Sequence, residues 1–264
     1  MLSIVESIAD KKKYNTLLTN YVNELRERSD KTKLNDFAIL RGFPLKDIEE
    51  CGIFYIGEMA EMLIPDYLDV VKDLGIISPT NNKPIYSHRW VIPIYNTEGL
   101  VEGLVGYSPT ADERYIYSTS KYYRRTQTMW GLERLERAYE LGYAIVTEGI
   151  TDAIRLRSMG YEPVFSTCGT HKADFIMKQL NRCRHGIIRI PDRDKAGLNA
   201  LKGWETNRHV TLYVALKYKD TDEMCKESDE NKEWLKDYLN ACINWIVSDE
   251  HRGRKCLCEK VTVL

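Results

Sequence analysis

The chain has 264 residues, 43% of them apolar and 29% charged, with a formal net charge of -1 at pH 7. This is ordinary globular material, enough to bury the core of one large domain or two small ones. No run of about eighteen apolar residues occurs, which argues against a membrane helix, and the near-neutral charge gives no global sign of a polyanionic partner.

The first predicted element is an amphipathic helix from about Ile4 to Arg28, with Tyr14, Leu17, Leu18, Tyr21, Val22 and Leu25 at helical spacing. Leu34 to Lys46 and Ile56 to Leu74 read as further helical segments around Gly42 and Cys51-Gly52, and Pro79 to Pro84 as a turn-rich linker. From Arg89 the texture turns strand-like. Trp90 to Tyr95 and Leu100 to Gly106 form a predicted β-hairpin across Asn96 to Gly99, with Arg114 to Ser118 as a possible third strand. Gly131 to Leu141 is a predicted helix.

Beyond it strands and helices alternate. Strands are expected at 143 to 147, 163 to 166, 186 to 190 and 210 to 215, and helices at Thr151 to Met159, Ala173 to Asn181 and Ala196 to Trp204. That order implies an α/β fold with a mostly parallel sheet flanked by helices. Asn231 to Val247 carries an apolar stripe and is expected to cap the core as a last helix.

Three of those strands run into carboxylates. Glu148 follows the first, with Gly149 to let the backbone turn and Asp152 one helical turn further on. Asp192 and Asp194 flank Arg193 after the third strand, and in extended chain they point the same way. Asp220 and Asp222 follow the fourth. Each piece has a plainer reading: Glu148-Gly149 as a turn, Asp192 and Asp194 as caps for the helix from Ala196, Asp220 and Asp222 as an exposed acidic loop. Their joint placement at equivalent sheet ends favours a site. Crowded carboxylates repel unless a cation neutralises them, and oxygen donors of this kind suit Mg²⁺. Local charge is also segregated, with Lys121 to Arg125 and Arg182 to His185 basic and Asp220 to Glu233 mostly acidic.

The stretches Val146 to Asp152, Asp192 to Gly197 and Asp220 to Asp222 resemble the three acidic motifs of the TOPRIM fold, shared by DnaG-type primases, topoisomerases and OLD-type nucleases. Ser166 to Thr170 is similar to that family's loop between the first two motifs. Upstream, Phe37 to Phe43, Arg89 to Asn96, Gly103 to Gly106, Arg114 to Ser118 and Met129 to Leu132 follow the order of the amino-terminal half of the bacterial primase RNA-polymerase domain. The resemblance covers about residues 34 to 225. It implies a TOPRIM domain preceded by an α+β primase-type subdomain and followed by a helical cap. The expected segments are 1–33 (helical extension), 34–140 (primase-type subdomain), 141–218 (TOPRIM) and 219–264 (acidic loop and helix).

The function so implied is DNA-templated synthesis of short RNA primers on single-stranded DNA from NTPs. Glu148, Asp192, Asp194, Asp220 and Asp222 would hold Mg²⁺ or Mn²⁺, Glu148 doubling as proton acceptor, with Asp152 in support as a catalytic residue. Arg89, Arg114, Tyr115, Lys121, Arg124, Arg125 and Lys195 are the implied nucleotide or DNA contacts. A TOPRIM nuclease, or a non-catalytic single-stranded-DNA-binding scaffold, is the alternative.

Some positions depart from the family pattern. Arg193 stands where a glycine is usual, Tyr107 where an arginine is, and Arg114 and Tyr117 where lysine and asparagine are. The resemblance takes in neither a zinc ribbon nor a helicase-binding domain, so a separate zinc-ribbon protein and a replicative helicase are expected as partners, in a compact, phage-like form. The seven scattered cysteines fit reduced thiols, and the one-residue spacing of Cys256 and Cys258 near His251 is not a usual zinc pattern, so no zinc is expected. Met1 to Lys13 lacks the apolar stretch of a secretion signal, which points to the cytoplasm.

Overall fold

The computed structural model describes residues 2–58, 62–76, 85–119, 122–169, 173–200, 209–211 and 217–248. The chain separates into two compact units, Met1–Arg125 and Thr126–Leu264. The linker at Pro79 to Pro84, Lys121, the helix expected beyond residue 200, the strand expected beyond 211 and the cysteines near the carboxyl end lie outside the described residues.

In the first unit, helix α1 (Leu2–Arg28) buries Leu18, Tyr21, Val22 and Leu25, spaced so that they share one face. Leu17, expected on that face, is 40% exposed. Helix α2 (Lys31–Arg41) starts where the Asp30 carboxylate accepts the Thr32 N–H (2.8 Å) and ends at Gly42, whose φ of 64° suits a residue without a β-carbon. Helix α3 (Leu45–Glu50) follows.

The antiparallel sheet has the order β1 (Phe54–Ile56), β2 (Arg89–Tyr95), β3 (Val101–Tyr107), β4 (Tyr115–Tyr117). The hairpin between β2 and β3 is tied by Asn96 Oδ1, which accepts the N–H groups of Glu98 (2.9 Å) and Leu100 (3.0 Å). Strand β1 runs into the start of the helix predicted from Ile56, and only a short Phe-Tyr-Ile run was available to signal it. Pairing of Tyr55 with Trp90 makes it an edge strand, and Phe54 and Ile56 are buried. Of the helix expected from Ile56 to Leu74, Ile56 instead ends strand β1, and the later described part includes a 3₁₀ turn at Pro65–Tyr67 leading into α4 (Leu68–Asp73).

In the second unit a 3₁₀ turn (Leu132–Arg134) and α5 (Leu135–Leu141) lead into a wholly parallel sheet of order β6 (Val164–Ser166), β5 (Tyr143–Thr147), β7 (Gly186–Ile190), β8 (His209–Thr211). Between the strands lie α6 (Ile150–Ser158), α7 (Ala173–Leu180) and α8 (Lys195–Ala200), followed by α9 (Thr221–Glu227) and α10 (Asp229–Val247).

Ala144, Val146, Phe165, Ile176, Leu180 and Ile187 form one core with Met129, Leu132, Leu135 and Ala138. Helix α10 lies against β5, β7 and β8 and buries Leu235, Leu239, Cys242 and Ile246. Strand β7 is buried along its whole length, Arg189 included, and β5 from Ala144 on, as in a parallel sheet covered on both faces. Trp130 is buried and pairs with Ser166 through two backbone hydrogen bonds (3.1 and 2.9 Å), extending the sheet beside β6.

Candidate active site

Strands β5 and β7 are neighbours, so the residues that follow them emerge side by side at the carboxyl ends of a parallel sheet. Glu148 leaves β5 and is half-buried. Its carbonyl is fixed by the loop after β6: Ser166 Oγ (2.9 Å), Thr167 Oγ1 (3.3 Å) and the Gly169 N–H (3.1 Å) all donate to it. Cys168, buried with φ 57°, and Gly169, with φ 64°, curl that loop back toward Glu148. The chain bends at Glu148 and Gly149, as the sequence suggests, with Gly149 in extended conformation (φ -84°). The absence of a side chain matters for another reason, since a β-carbon there would strike the Asp152 carboxylate.

The loop after β7 brings up Asp192 and Asp194. Asp194 Oδ1 accepts the Gly197 N–H (2.8 Å) and so caps α8, while its Oδ2 faces Lys219 at 3.6 Å. Asp192 Oδ2 is 3.1 Å from the same ammonium. A β-carbon on Gly197 would collide with the Asp192 carbonyl oxygen and lie 3.0 Å from Glu148 Oε2, so glycine keeps this corner clear. Asp220 caps α9 through the Glu223 N–H (2.8 Å). Both the capping role and the acidic cluster are therefore true of Asp194 and Asp220.

The charges act on one another. Burial holds the Glu148 carboxyl above its ordinary range, and the charges of Asp192 and Asp194 add to this. Asp152 is 4% exposed and raised well above its ordinary range, by burial first and then by Asp220 and Asp192. Asp192 is raised by burial, with Asp220 and Asp194 adding and Lys219 opposing. Asp194 is lowered, chiefly by the Gly197 N–H. Burial works against the Lys219 charge, but Asp192, Asp194 and Asp220 more than offset it and raise its pKa. Asp192 is thus the common neighbour of Glu148 and Asp152. Among the described residues no three His, Cys, Asp or Glu side chains stand as a ready metal-ligand set.

Asp222 departs from the expectation of a metal ligand. Its side chain is 4% exposed, and its Oδ1 accepts Arg155 Nε (3.2 Å) and Nη2 (2.9 Å), a guanidinium that is itself buried in α6. The Asp222 N–H donates to Asp152 Oδ1 (2.8 Å), so α9 is tied to α6 by main chain and side chain. Arg155 and Lys219 were both missed from sequence. Arg155 lies among the apolar residues of a buried helix, and Lys219 reads as any lysine before an acidic loop.

The expected basic contacts belong mostly to the first unit. Arg89 Nη1 donates to the carbonyls of Glu113 (2.9 Å) and Arg114 (3.3 Å), bracing the chain before β4. Burial lowers its pKa. Arg114 and Arg124 are exposed, and Arg125 lies 3.7 Å over the Tyr117 ring. Tyr115 ends a row of aromatics paired across all four strands, Tyr55, Trp90, Tyr107 and Tyr115, with successive ring centroids 5.6, 6.2 and 5.0 Å apart. Tyr107, which replaces the customary arginine, takes its place in that row and meets the Arg41 guanidinium at 5.5 Å. Lys195 is exposed at the start of α8 in the second unit, and Lys121 lies outside the described residues.

The strand ends of the parallel sheet bring up interacting carboxylates, and residues 145–225 match the model of the Toprim-like family. The chain is similar to bacterial DNA primases. It is 27% identical to the DNA primase of Thermotoga maritima over 234 residues, which are 82% of this chain and 41% of the relative. It is 32% identical to that of Aquifex aeolicus over 194 residues, 68% of this chain and 37% of the relative. The chain therefore spans about two fifths of the length of these relatives.

Among solved structures, the zinc-binding and RNA-polymerase domains of the Aquifex aeolicus primase align with a TM-score of 0.72 at 24% identity, over 86% of this chain and 61% of that one. A DnaG catalytic core gives 0.70 at 18% identity, over 92% and 83%. A DnaG catalytic domain bound to single-stranded DNA gives 0.70 at 18%, over 91% and 84%. The fold is that of the primase catalytic core, a mixed α/β structure with an antiparallel and a parallel sheet. No described helix is long and apolar enough to cross a membrane.

Proposed function

We propose that this chain is the catalytic core of a DNA primase, joining NTPs into short RNA primers on a single-stranded DNA template. What supports the reading is that Asp192 and Asp194 share the Lys219 ammonium and Gly197 adjoins both the Asp192 carbonyl and the Glu148 carboxylate, in a Toprim-like domain similar to that of primases.

The residues fit a hard divalent cation. The donors are carboxylate oxygens, Glu148 and Asp192 are held above their ordinary range by burial and neighbouring carboxylates, and Gly197 keeps side-chain volume away from Glu148. Glu148, Asp192, Asp194 and Asp220 would hold Mg²⁺ or Mn²⁺. When bound, the ion lowers the pKa of the attacking hydroxyl and stabilises charge on the phosphate and the pyrophosphate leaving group.

In each cycle a 3′-hydroxyl oxygen bonds to the α-phosphorus of the incoming NTP, the bond to pyrophosphate breaks, and the hydroxyl proton passes to a base. Glu148 is suited to receive it, being half-buried with a raised pKa. Asp152 and the Arg155–Asp222 pair position Asp220 by joining α9 to α6. Asp222 is assigned to this clamp and not to the ion. On the first unit, Arg114 and Arg124 are exposed cations suited to phosphate, Arg125 and Tyr115 lie beside them, and Arg89 acts by bracing Arg114. Lys195 is a further phosphate contact on the second unit.

The template class is supported by the similar fold of a primase domain bound to single-stranded DNA. A replicative helicase and a zinc-ribbon module are the partners such a core would work with, in the cytoplasm and in phage replication.

Product analysis tests the reading. Single-stranded DNA, labelled NTPs and Mg²⁺ or Mn²⁺ should give short ribonucleotide products on a gel. Shortening of the template would make the protein a nuclease, and an unchanged template without products would make it a binding scaffold.

A further inference from the structure

We propose that Lys219 is a positioning residue of the acidic site, an ammonium that occupies the seat of a divalent cation between Asp192 and Asp194 and yields it when the cation binds. The inference rests on the reading of these carboxylates as a cation site.

Lys219 Nζ stands 3.1 Å from Asp192 Oδ2 and 3.6 Å from Asp194 Oδ2. The aspartates belong to the loop after β7, while Lys219 enters from the segment leading to α9. Its main chain is held from both sides. The Lys219 carbonyl accepts the N–H of Arg193, between the two aspartates (2.7 Å), and the Lys219 N–H donates to the Glu223 carboxylate (2.6 Å). The base of the side chain is therefore fixed to the very loop whose charges the head group bridges.

The head group is different. The side chain is 55% exposed, and a solvated ion pair on a four-carbon stem is weak enough to exchange. A divalent ion, with twice the charge and a preference for carboxylate oxygen, displaces such an ammonium. The main chain at position 193 ties the aspartate loop to Lys219 through its N–H. This arrangement holds Asp192 and Asp194 side by side without repulsion driving them apart.

The test is Mn²⁺ binding by calorimetry on the whole chain, comparing wild type with Lys219→Met and Lys219→Arg. Lys219→Met removes the competing charge and should bind Mn²⁺ at least about tenfold more tightly, the size of effect that a neighbouring charge has on a carboxylate. Lys219→Arg keeps the charge and should stay near wild type. In chelator, Lys219→Met should melt below wild type, and saturating Mn²⁺ should close that gap, which a purely structural lysine would not show. Lys219→Gln serves the same comparison if Lys219→Met does not retain its helical circular dichroism. Equal or weaker Mn²⁺ binding by the uncharged variants overturns the inference while leaving the primase reading intact. Absence of Mn²⁺ binding in wild type overturns both.

Discussion

Replacing Arg155 by Met would leave the Asp222 carboxylate without its cation. The pair has side-chain exposures of 3% and 4%, so water cannot take over the two hydrogen bonds at 3.2 and 2.9 Å. The Asp152 carboxylate lies next to the orphaned group, held by the Asp222 N–H, and would add repulsion. Breaking a buried ion pair from one side costs about 3–5 kcal/mol, which for a chain of this size lowers the melting temperature by roughly 10 °C. Urea denaturation followed by circular dichroism measures it directly. The double variant Arg155→Met with Asp222→Leu should recover much of the loss, because an apolar pair of similar volume leaves no buried charge. If Arg155→Met unfolds within about 1 kcal/mol of wild type, the clamp is not what fixes α9, and Asp222 is available for another role.

The remaining predictions concern the acidic centre and the basic surface. Burial, with Asp192 and Asp194, raises the Glu148 pKa in the folded chain. Its contribution to stability is therefore present below the unfolded pKa and lost as pH rises through the folded one. Glu148→Gln cannot ionise, so in chelator it should melt above wild type near neutral pH, and the difference should close as pH falls into the carboxylate range. Scanning fluorimetry that finds the variant less stable at neutral pH contradicts this. Gly197→Ala should destabilise by about 1–3 kcal/mol and weaken Mn²⁺ binding, since the clash with the Asp192 carbonyl and Glu148 outweighs the better helix propensity of alanine. Arg114→Ala should weaken single-stranded-DNA binding and lower its salt dependence by about one ion, with an unchanged melt. Arg89→Ala should instead lower the melting temperature, because its guanidinium braces the Glu113 and Arg114 carbonyls.

The parallel sheet was legible because β5 and β7 are apolar runs that end at Glu148 and Asp192, with helices of ordinary length between them. The hairpin at Arg89–Tyr107 was legible from its alternation and from the Asn96 to Gly99 turn. Strand β1 was not, since three residues carry no period and the strand exists only through its pairing with β2. At the site, the sequence identifies the acidic residues but not their partners. Asp220 and Asp222 are both acids of one short motif, yet one caps α9 and the other turns inward, because a guanidinium 67 residues earlier in the chain waits there. Tyr107 reads as a lost arginine until the register shows it between Trp90 and Tyr115. Gly149 lies at the expected bend, and the structure adds a second reason for glycine there, the close approach of Asp152.

The most direct measurement of the central claim is template-dependent NTP incorporation by wild type, Glu148→Gln and Asp192→Asn, each matched for folding by circular dichroism. The carboxylate centre predicts primer synthesis by wild type in Mg²⁺ or Mn²⁺ and its loss by more than about a hundredfold in both variants. Folded variants that make primers at the wild-type rate would contradict it.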